Sequence, residues 1–402
     1  MLDYVMPNVG IGVVLPTSNW NGKLLQVGCG GYCGIAPEVL LVGCRDALAR
    51  GYACTVSDMG HSSTGADGKW AYNNLQAEVD FGYRATHVAV VAAKAITDAF
   101  YAKAPERAYY MGCSTGGRQG LVEAQRFPWD FDGIISGSVN IGMEDELMAL
   151  LWDARALRGA DGKLVLAPDD LRHVHEAALA VCDMDDGLKD GIISNPRSCA
   201  FDPAKLLCIE GDRGTCLTAP QVDALKKIYA GPQTSKGIKI STGGPMPGSE
   251  LSWIEWFFPN AYSEAISPSK ESMIEIFTRE WFRYQAFMPD PGASWKLADF
   301  DFDRDYKRFG LMESLLSNQN PDLRKFKGAG GKLIVYGGWN DPDATPLGTI
   351  DYYETAVNTM GGRAATEQFF RFFLVPGMGH CGSGDGPFSV DYLRYLEAWV
   401  EQ

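Results

Sequence analysis

Residues 109–117 read Tyr109-Tyr110-Met111-Gly112-Cys113-Ser114-Thr115-Gly116-Gly117, and the fold turns on how they are read. Gly112, Ser114 and Gly116 form G-x-S-x-G between an apolar run that reads as a strand and a stretch, 118–126, that reads as a helix. At such a junction the chain bends so sharply that side chains flanking the serine would clash, which is why glycines stand there. The bend lifts the hydroxyl clear of the sheet and sets it at a helix N-terminus, where the backbone dipole favours negative charge. The bare pattern also fits an ordinary tight turn. Its place between strand and helix is what points to a nucleophile.

Outward from this motif, strands and helices alternate. Residues 23–27, 52–57, 133–136, 332–336 and 369–375 have the length and apolar character of buried strands. Residues 37–50, 77–101, 347–360 and 390–400 read as helices. That rhythm predicts an α/β fold with a parallel sheet covered on both faces. It breaks between 139 and 330, which hold four cysteines, many Gly and Pro, and an aromatic cluster at Trp253, Trp256, Phe257, Phe258, Trp281, Phe282 and Tyr284. The expected organisation is a discontinuous catalytic domain, 1–138 with 331–402, interrupted by a lid over 139–330.

A serine nucleophile needs a base, and the chain has five histidines. His173 and His175 fall in a polar helical stretch and read as solvated. His87 lies within a long helix and reads as packed. His61, in a loop after a strand, reads as structural. His380 follows the last expected strand in Gly377-Met378-Gly379-His380-Cys381-Gly382, where the order Ser…Asp…His puts the base. The acid should lie between them, after a strand. Asp341 and Asp343 both follow the strand at 332–336; Asp341 is chosen, and Asp343 is read as a surface carboxylate. The aspartate would hold the imidazole tautomer while the histidine takes the serine proton. The oxyanion donors would be the N–H of Thr115 and an N–H of the glycine run after the first strand, with Gly31 favoured; the run also fits a merely flexible turn.

Ten cysteines, none in a C-x-x-C motif, read as a disulfide set in an oxidising compartment. The expected location is secreted or periplasmic, with no signal-peptide pattern in the first residues. Cys113 precedes Ser114 and Cys381 follows His380, so assembly of the triad would bring the two sulfurs close enough to bridge. Between Cys182 and Cys199 lies Asp183-Met184-Asp185-Asp186-Gly187-Leu188-Lys189-Asp190-Gly191-Ile192. Carboxylates alternating with backbone carbonyls suit a calcium shell, though the loop lacks the EF-hand glutamate and also fits a solvated acidic turn. The bracketing cysteines favour the metal, in a structural role.

Composition narrows the partners. Thirty-six Lys and Arg against 50 Asp and Glu give a net charge of −14 over 402 residues. With no basic cluster, a nucleic-acid or anionic-membrane surface is not expected. No apolar run approaches the length of a membrane span.

Together these residues resemble the tannase and feruloyl esterase family, which includes mono(2-hydroxyethyl) terephthalate hydrolase. The resemblance rests on Asn19-Trp20-Asn21-Gly22-Lys23, on Cys113-Ser114-x-Gly116-Gly117-Arg118, on Trp339-x-Asp341-Pro342 and on Pro376-Gly377-Met378-x-His380-Cys381. It implies an α/β-hydrolase fold with a lid, a triad of Ser114, Asp341 and His380, and a Cys113–Cys381 bridge. It also implies lid disulfides Cys182–Cys199 and Cys208–Cys216. A lid calcium would sit on Asp183, Asp186, the backbone of Leu188, Asp190 and the backbone of Ile192. Cys29, Cys33, Cys44 and Cys54 depart from the family pattern; they either form two further disulfides or stand as buried thiols.

The resemblance also implies an activity. The leading expectation is a serine esterase acting on esters of aromatic or phenolic acids, such as feruloyl or galloyl esters, through an acyl-enzyme. Trp253 and Trp256 are expected to stack on the ring. The alternatives are a terephthalate half-ester or other small-ester hydrolase, and a catalytically silent calcium-dependent binding module. The intact Ser, Asp and His argue against the last.

Overall fold

A computed structural model of the chain describes residues 8–209, 216–267 and 270–402. The first seven residues of the expected catalytic segment, and residues 210–215 and 268–269 of the expected lid, lie outside them.

Seven strands form one sheet: β1 (Ile11–Val14), β2 (Lys23–Val27), β3 (Ala53–Ser57), β4 (Arg107–Cys113), β5 (Gly133–Gly137), β6 (Lys332–Gly338) and β7 (Phe370–Val375). Their order is β1-β3-β2-β4-β5-β6-β7. Every neighbouring pair is parallel except β1 on β3. β3 and β5 are buried at every position, as strands covered on both faces must be, and so they read as continuous apolar runs. β1 escaped the sequence reading: it is four residues long, half-buried throughout and at the sheet edge, so it carries neither alternation nor a dense apolar run.

The faces are covered by separate cores. On one, Leu24, Tyr110, Ile134 and Val335 pack with Val90 and Ala93 of α1 (Ala85–Tyr101), Leu121 of α2 (Thr115–Arg126) and Tyr353 and Ala356 of a later helix, Pro346–Thr359. On the other, Leu25, Tyr109, Ile135 and Ile334 meet Leu393 and Leu396 of the last helix, Tyr392–Val400. Each such side chain contributes roughly 1.5–3 kcal/mol by leaving water.

Two helices expected as continuous are interrupted. The stretch 37–50 is two short helices joined by a 3₁₀ turn at Leu41–Cys44. The long one has a π-helical turn at Asp80–Arg84 before α1. Such a turn releases carbonyls from the regular ladder, and here the Arg118 guanidinium donates to the carbonyls of Phe81 and Gly82.

The chain between β5 and β6 adds no strand to the sheet among the described residues. It builds helices: α3 (Met143–Ala156), α4 (Pro168–Cys182), α5 (Ala219–Ala230), α6 (Glu250–Phe257) and α7 (Met273–Tyr284). Their core is continuous with Cys29, Tyr32, Cys33 and Phe81 from the sheet half. The helical segment is therefore anchored on the glycine loop after β2. All ten cysteines are paired: Cys29–Cys33, Cys44–Cys54, Cys113–Cys381, Cys182–Cys199 and Cys208–Cys216. The alternative left open for the four early cysteines resolves in favour of disulfides.

Candidate active site

β4 lies between β2 and β5 near the middle of the sheet, and Ser114 is the residue on which it turns into α2. Its backbone has φ 60° and ψ −128°, a region non-glycine residues avoid at a cost of about 1–3 kcal/mol. The flanking glycines show why the motif is fixed. A Cβ on Gly112 would lie 2.5 Å from the carbonyl oxygen of Gly116, and one on Gly117 would lie 2.3 Å from that of Gly137. The elbow therefore closes only with hydrogen at these positions.

The end of β6 and the loop after β7 bring the acid and the base together. His380 Nδ1 is 3.1 and 3.0 Å from the two carboxylate oxygens of Asp341. Asp341 is buried, and its Oδ1 also accepts from the N–H groups of Asp343 and Ala344, both at 3.0 Å. The carboxylate is thus oriented by its own loop. Asn340 N–H donates to the Met378 carbonyl at 2.9 Å, tying the acid loop to the base loop. Cys381 N–H donates to Ser138 Oγ at 3.1 Å, and the Cys113–Cys381 disulfide joins the base loop to the elbow. Burial pulls the His380 imidazole down, but the facing carboxylates of Asp341 and Asp343 outweigh it and raise its pKa to about 9.

Asp343 corrects the sequence reading. It is 6% exposed rather than a surface carboxylate, and its Oδ2 lies 3.4 Å from His380 Nε2. The sequence signal was present, since Asp341-Pro342-Asp343 follows a buried strand. What it lacked was the direction of the loop after the proline.

Ser114, Thr115, Gly31, His380 and Asp343 all line one cavity of about 610 Å³. Gly31 has φ +57°, and a Cβ there would lie 2.2 Å from the Gly65 carbonyl oxygen. Its own carbonyl accepts from Thr115 Oγ1 at 2.7 Å, and the next N–H, of Tyr32, donates to Gly65 at 2.7 Å. The loop after β2 is pinned to the residue that follows the serine, and the two expected oxyanion donors share one wall. A serine hydroxyl on the same cavity as a buried imidazole–carboxylate pair, with backbone N–H groups on the wall, has the parts for nucleophilic acyl transfer.

Of the two tryptophans expected to stack on a ring, one lies on the cavity wall and the other lies away from it. Trp256 lines the cavity beside Tyr262 and Phe277, with its ring 5.0 Å from that of His380. Trp253 is fully buried against Tyr229 and Phe257, and its Nε1 donates to Ser249 Oγ. Positions 253 and 257 face the helical core squarely, while 256 stands at the rim of that face, half-buried against the same core and open to the cavity. Trp253 therefore cannot stack on a ligand in this cavity.

The other histidines sit apart from the cavity. His61 stacks on Trp70, with Nε2 2.8 Å from the Tyr32 carbonyl. His87 stacks on Phe127 and pairs with Asp130. His175, read as solvated with His173, is instead buried, its Nδ1 3.2 Å from Glu250; the helix around it is polar on one side only. In the acidic loop, Asp183 Oδ1 accepts from the N–H groups of Asp190 and Gly191, Asp186 Oδ1 from Leu188 and Asp190 Oδ1 from Ile192. Its donors are all hard oxygens, the chemistry calcium takes. Among the described residues no three His, Cys, Asp or Glu side chains converge as a ready cluster.

The family model described as tannase and feruloyl esterase matches residues 2–402. The chain belongs to the tannase and feruloyl esterase family. It is accordingly a carboxylic ester hydrolase with an α/β-hydrolase fold. An uncharacterized esterase of Xanthomonas campestris is 34% identical over 98% of this chain and 73% of its own. Mono(2-hydroxyethyl) terephthalate hydrolase of Piscinibacter sakaiensis is 31% identical over 96% of this chain and 72% of its own. The crystal structure of feruloyl esterase B from Aspergillus oryzae superposes with a TM-score of 0.84 at 29% identity, covering 98% of this chain and 77% of that one. Among the described residues no helix is long and apolar enough to cross a membrane.

Proposed function

We propose that this family member is a secreted or periplasmic serine esterase that cleaves esters of aromatic or phenolic acids through an acyl-enzyme on Ser114. The observation that carries this reading is Ser114 and His380 in one aromatic-walled cavity, with the buried Asp341 on His380 Nδ1 and a disulfide between the neighbours of Ser114 and His380. His380 Nε2 takes the serine proton as Oγ attacks the ester carbonyl, and Asp341 stabilises the imidazolium. The N–H groups of Thr115 and Gly31 receive the oxyanion. The imidazolium then protonates the departing alcohol, and a water molecule deprotonated by His380 releases the acid. Trp256, Tyr262 and Phe277 hold the flat ring, with the helical segment acting as the lid.

The loop between Cys182 and Cys199 we read as a structural calcium site. Asp183, Asp186 and Asp190 would hold the ion with the backbone oxygens of Leu188 and Ile192, and its contribution is to fix the loop, away from the chemistry. The relatives named as feruloyl esterase and as terephthalate half-ester hydrolase frame the substrate choice.

The deciding experiment is hydrolysis of methyl ferulate and methyl gallate with a Ser114→Ala control. Turnover of either that falls by about 10⁶-fold in the control supports the reading. No turnover of either ester overturns the phenolic-ester assignment, and a control that keeps full activity overturns the nucleophile.

A further inference from the structure

The cavity that holds the triad has an acidic wall that the ester-cleaving steps do not use. Asp343 and Glu146 both line it, Glu146 reaching in from α3. Asp343 is buried, its Oδ2 3.4 Å from His380 Nε2, and Asn140 stands on the same wall. Glu146 Oε2 is buried with no hydrogen-bond partner. Burial, and then the facing Asp343, push Glu146 well above the usual carboxylate range. Burial raises Asp343 too, while the imidazole of His380 pulls it back. Two acids on one buried wall ionise in turn rather than together, and the first ionisation gives the pair one negative charge.

Among the described residues the wall has no spare cation for an incoming anion, since no Lys or Arg lines the cavity. The His380 imidazolium already faces two carboxylates, Asp341 at 3.0 Å and Asp343 at 3.4 Å, so its single positive charge is outnumbered before any anion arrives. Arg118, the cation that Glu146 senses, is fully buried, and its N–H groups go to the carbonyls of Phe81, Gly82 and Leu316. A second carboxylate on the substrate would enter a cavity that faces it with like charge and gives it no donor fork, the arrangement by which a site rejects a wrong ligand.

We propose that the Asp343–Glu146 carboxyl pair restricts this active site to uncharged esters and excludes half-esters that carry a second carboxylate. The inference rests on the esterase reading above and narrows its substrate class: of the alternatives, it sets aside the terephthalate half-ester.

The test compares methyl 4-acetylbenzoate with monomethyl terephthalate, which differ mainly in a neutral acetyl against an ionised carboxylate. Wild type should favour the neutral ester in kcat/KM by about 100-fold or more. Asp343→Asn should cut that ratio at least about tenfold; because both esters use the same triad, a general loss of activity cancels. The preference should persist in 0.5 M salt, since buried carboxyl oxygens are weakly screened. Equal turnover of the two esters overturns the proposal. So does a ratio that Asp343→Asn leaves alone, or one that salt abolishes, because either assigns the selectivity to the protein's overall negative charge. Affinities of both esters for Ser114→Ala, by calorimetry, give the same ratio without turnover. An inactive wild type that still binds the neutral ester selectively would therefore defeat the esterase reading and leave this one standing.

Discussion

The sheet half and the helical segment between β5 and β6 are built on different principles, and the site lies where they meet. In the sheet half, parallel strands and covering helices repeat a local pattern, and the loops at one edge carry Ser114, Asp341 and His380. In the helical segment few elements repeat; two of its tight loops are closed by disulfides, and its aromatic residues divide between core and cavity. The division teaches that the proposed triad and the glycine loop belong to the regular half, whereas the irregular one adds most of the apolar and aromatic side chains of the wall, Trp256, Tyr262 and Phe277 among them.

Disulfide removal should test that division most severely. Cys113–Cys381 closes a loop with a separation of 268 residues, and Cys182–Cys199 one of 17. On loop-closure entropy, paired Cys→Ala changes should cost about 5 kcal/mol for the first and about 3 for the second. Urea unfolding measures both, and only the first should also lower kcat. Equal losses of stability and activity from the two would erase the contrast.

Two tryptophans on one helix sharpen it next. Trp253→Ala should lose about 3–5 kcal/mol of stability, as large buried truncations do, with kcat/KM of the folded enzyme nearly unchanged. Trp256→Ala should do the reverse, raising KM about tenfold with little change in melting temperature. Calorimetry and steady-state kinetics on the pair decide it.

Calcium should act on the helical segment alone. At about a hundred times its Kd, bound ion would add about 2.7 kcal/mol, read as a rise in melting temperature of chelator-treated enzyme. Asp183→Asn should abolish the rise and leave kcat in place. A melting temperature indifferent to calcium would return the loop to a solvated acidic turn.

The smallest effect is in pH. His380 must be neutral to act as base, and Asp341, Asp343 and, from α6, Glu255 hold its pKa at about 9. The rate should therefore climb from pH 7 towards a plateau above about 9. Asp343→Asn removes an anion that favours the imidazolium, so the limb should move to lower pH, by about one unit. A limb that stays put would show that Asp343 does not sense the base.

Legibility in the sequence follows the same division. Strand, elbow and helix at 107–126 were readable because geometry forces the glycines around Ser114. His380 and Asp341 were readable because each follows a strand. The cysteines beside Ser114 and His380 tied the two together. Asp343 was misread because its burial depends on how the loop after β6 folds back towards Asn140 and Glu146, contacts from outside its own stretch. Trp253 and Trp256 could have been told apart by asking which shares a face with Phe257. His175 was misread for a related reason: a polar stretch does not reveal which of its side chains faces Glu250, 75 residues on. β1 was missed because a four-residue edge strand leaves almost no pattern.

The Cys113–Cys381 bond also has a topological consequence. With the backbone between them it forms a covalent ring that contains the whole helical segment. A protease that nicks the chain once inside that ring opens it without splitting the molecule: the fragment bearing Ser114 stays chemically attached to the fragment bearing His380. In an oxidising, protease-rich medium, a single cleavage would therefore leave Ser114 and His380 tethered, and only reduction would set them apart.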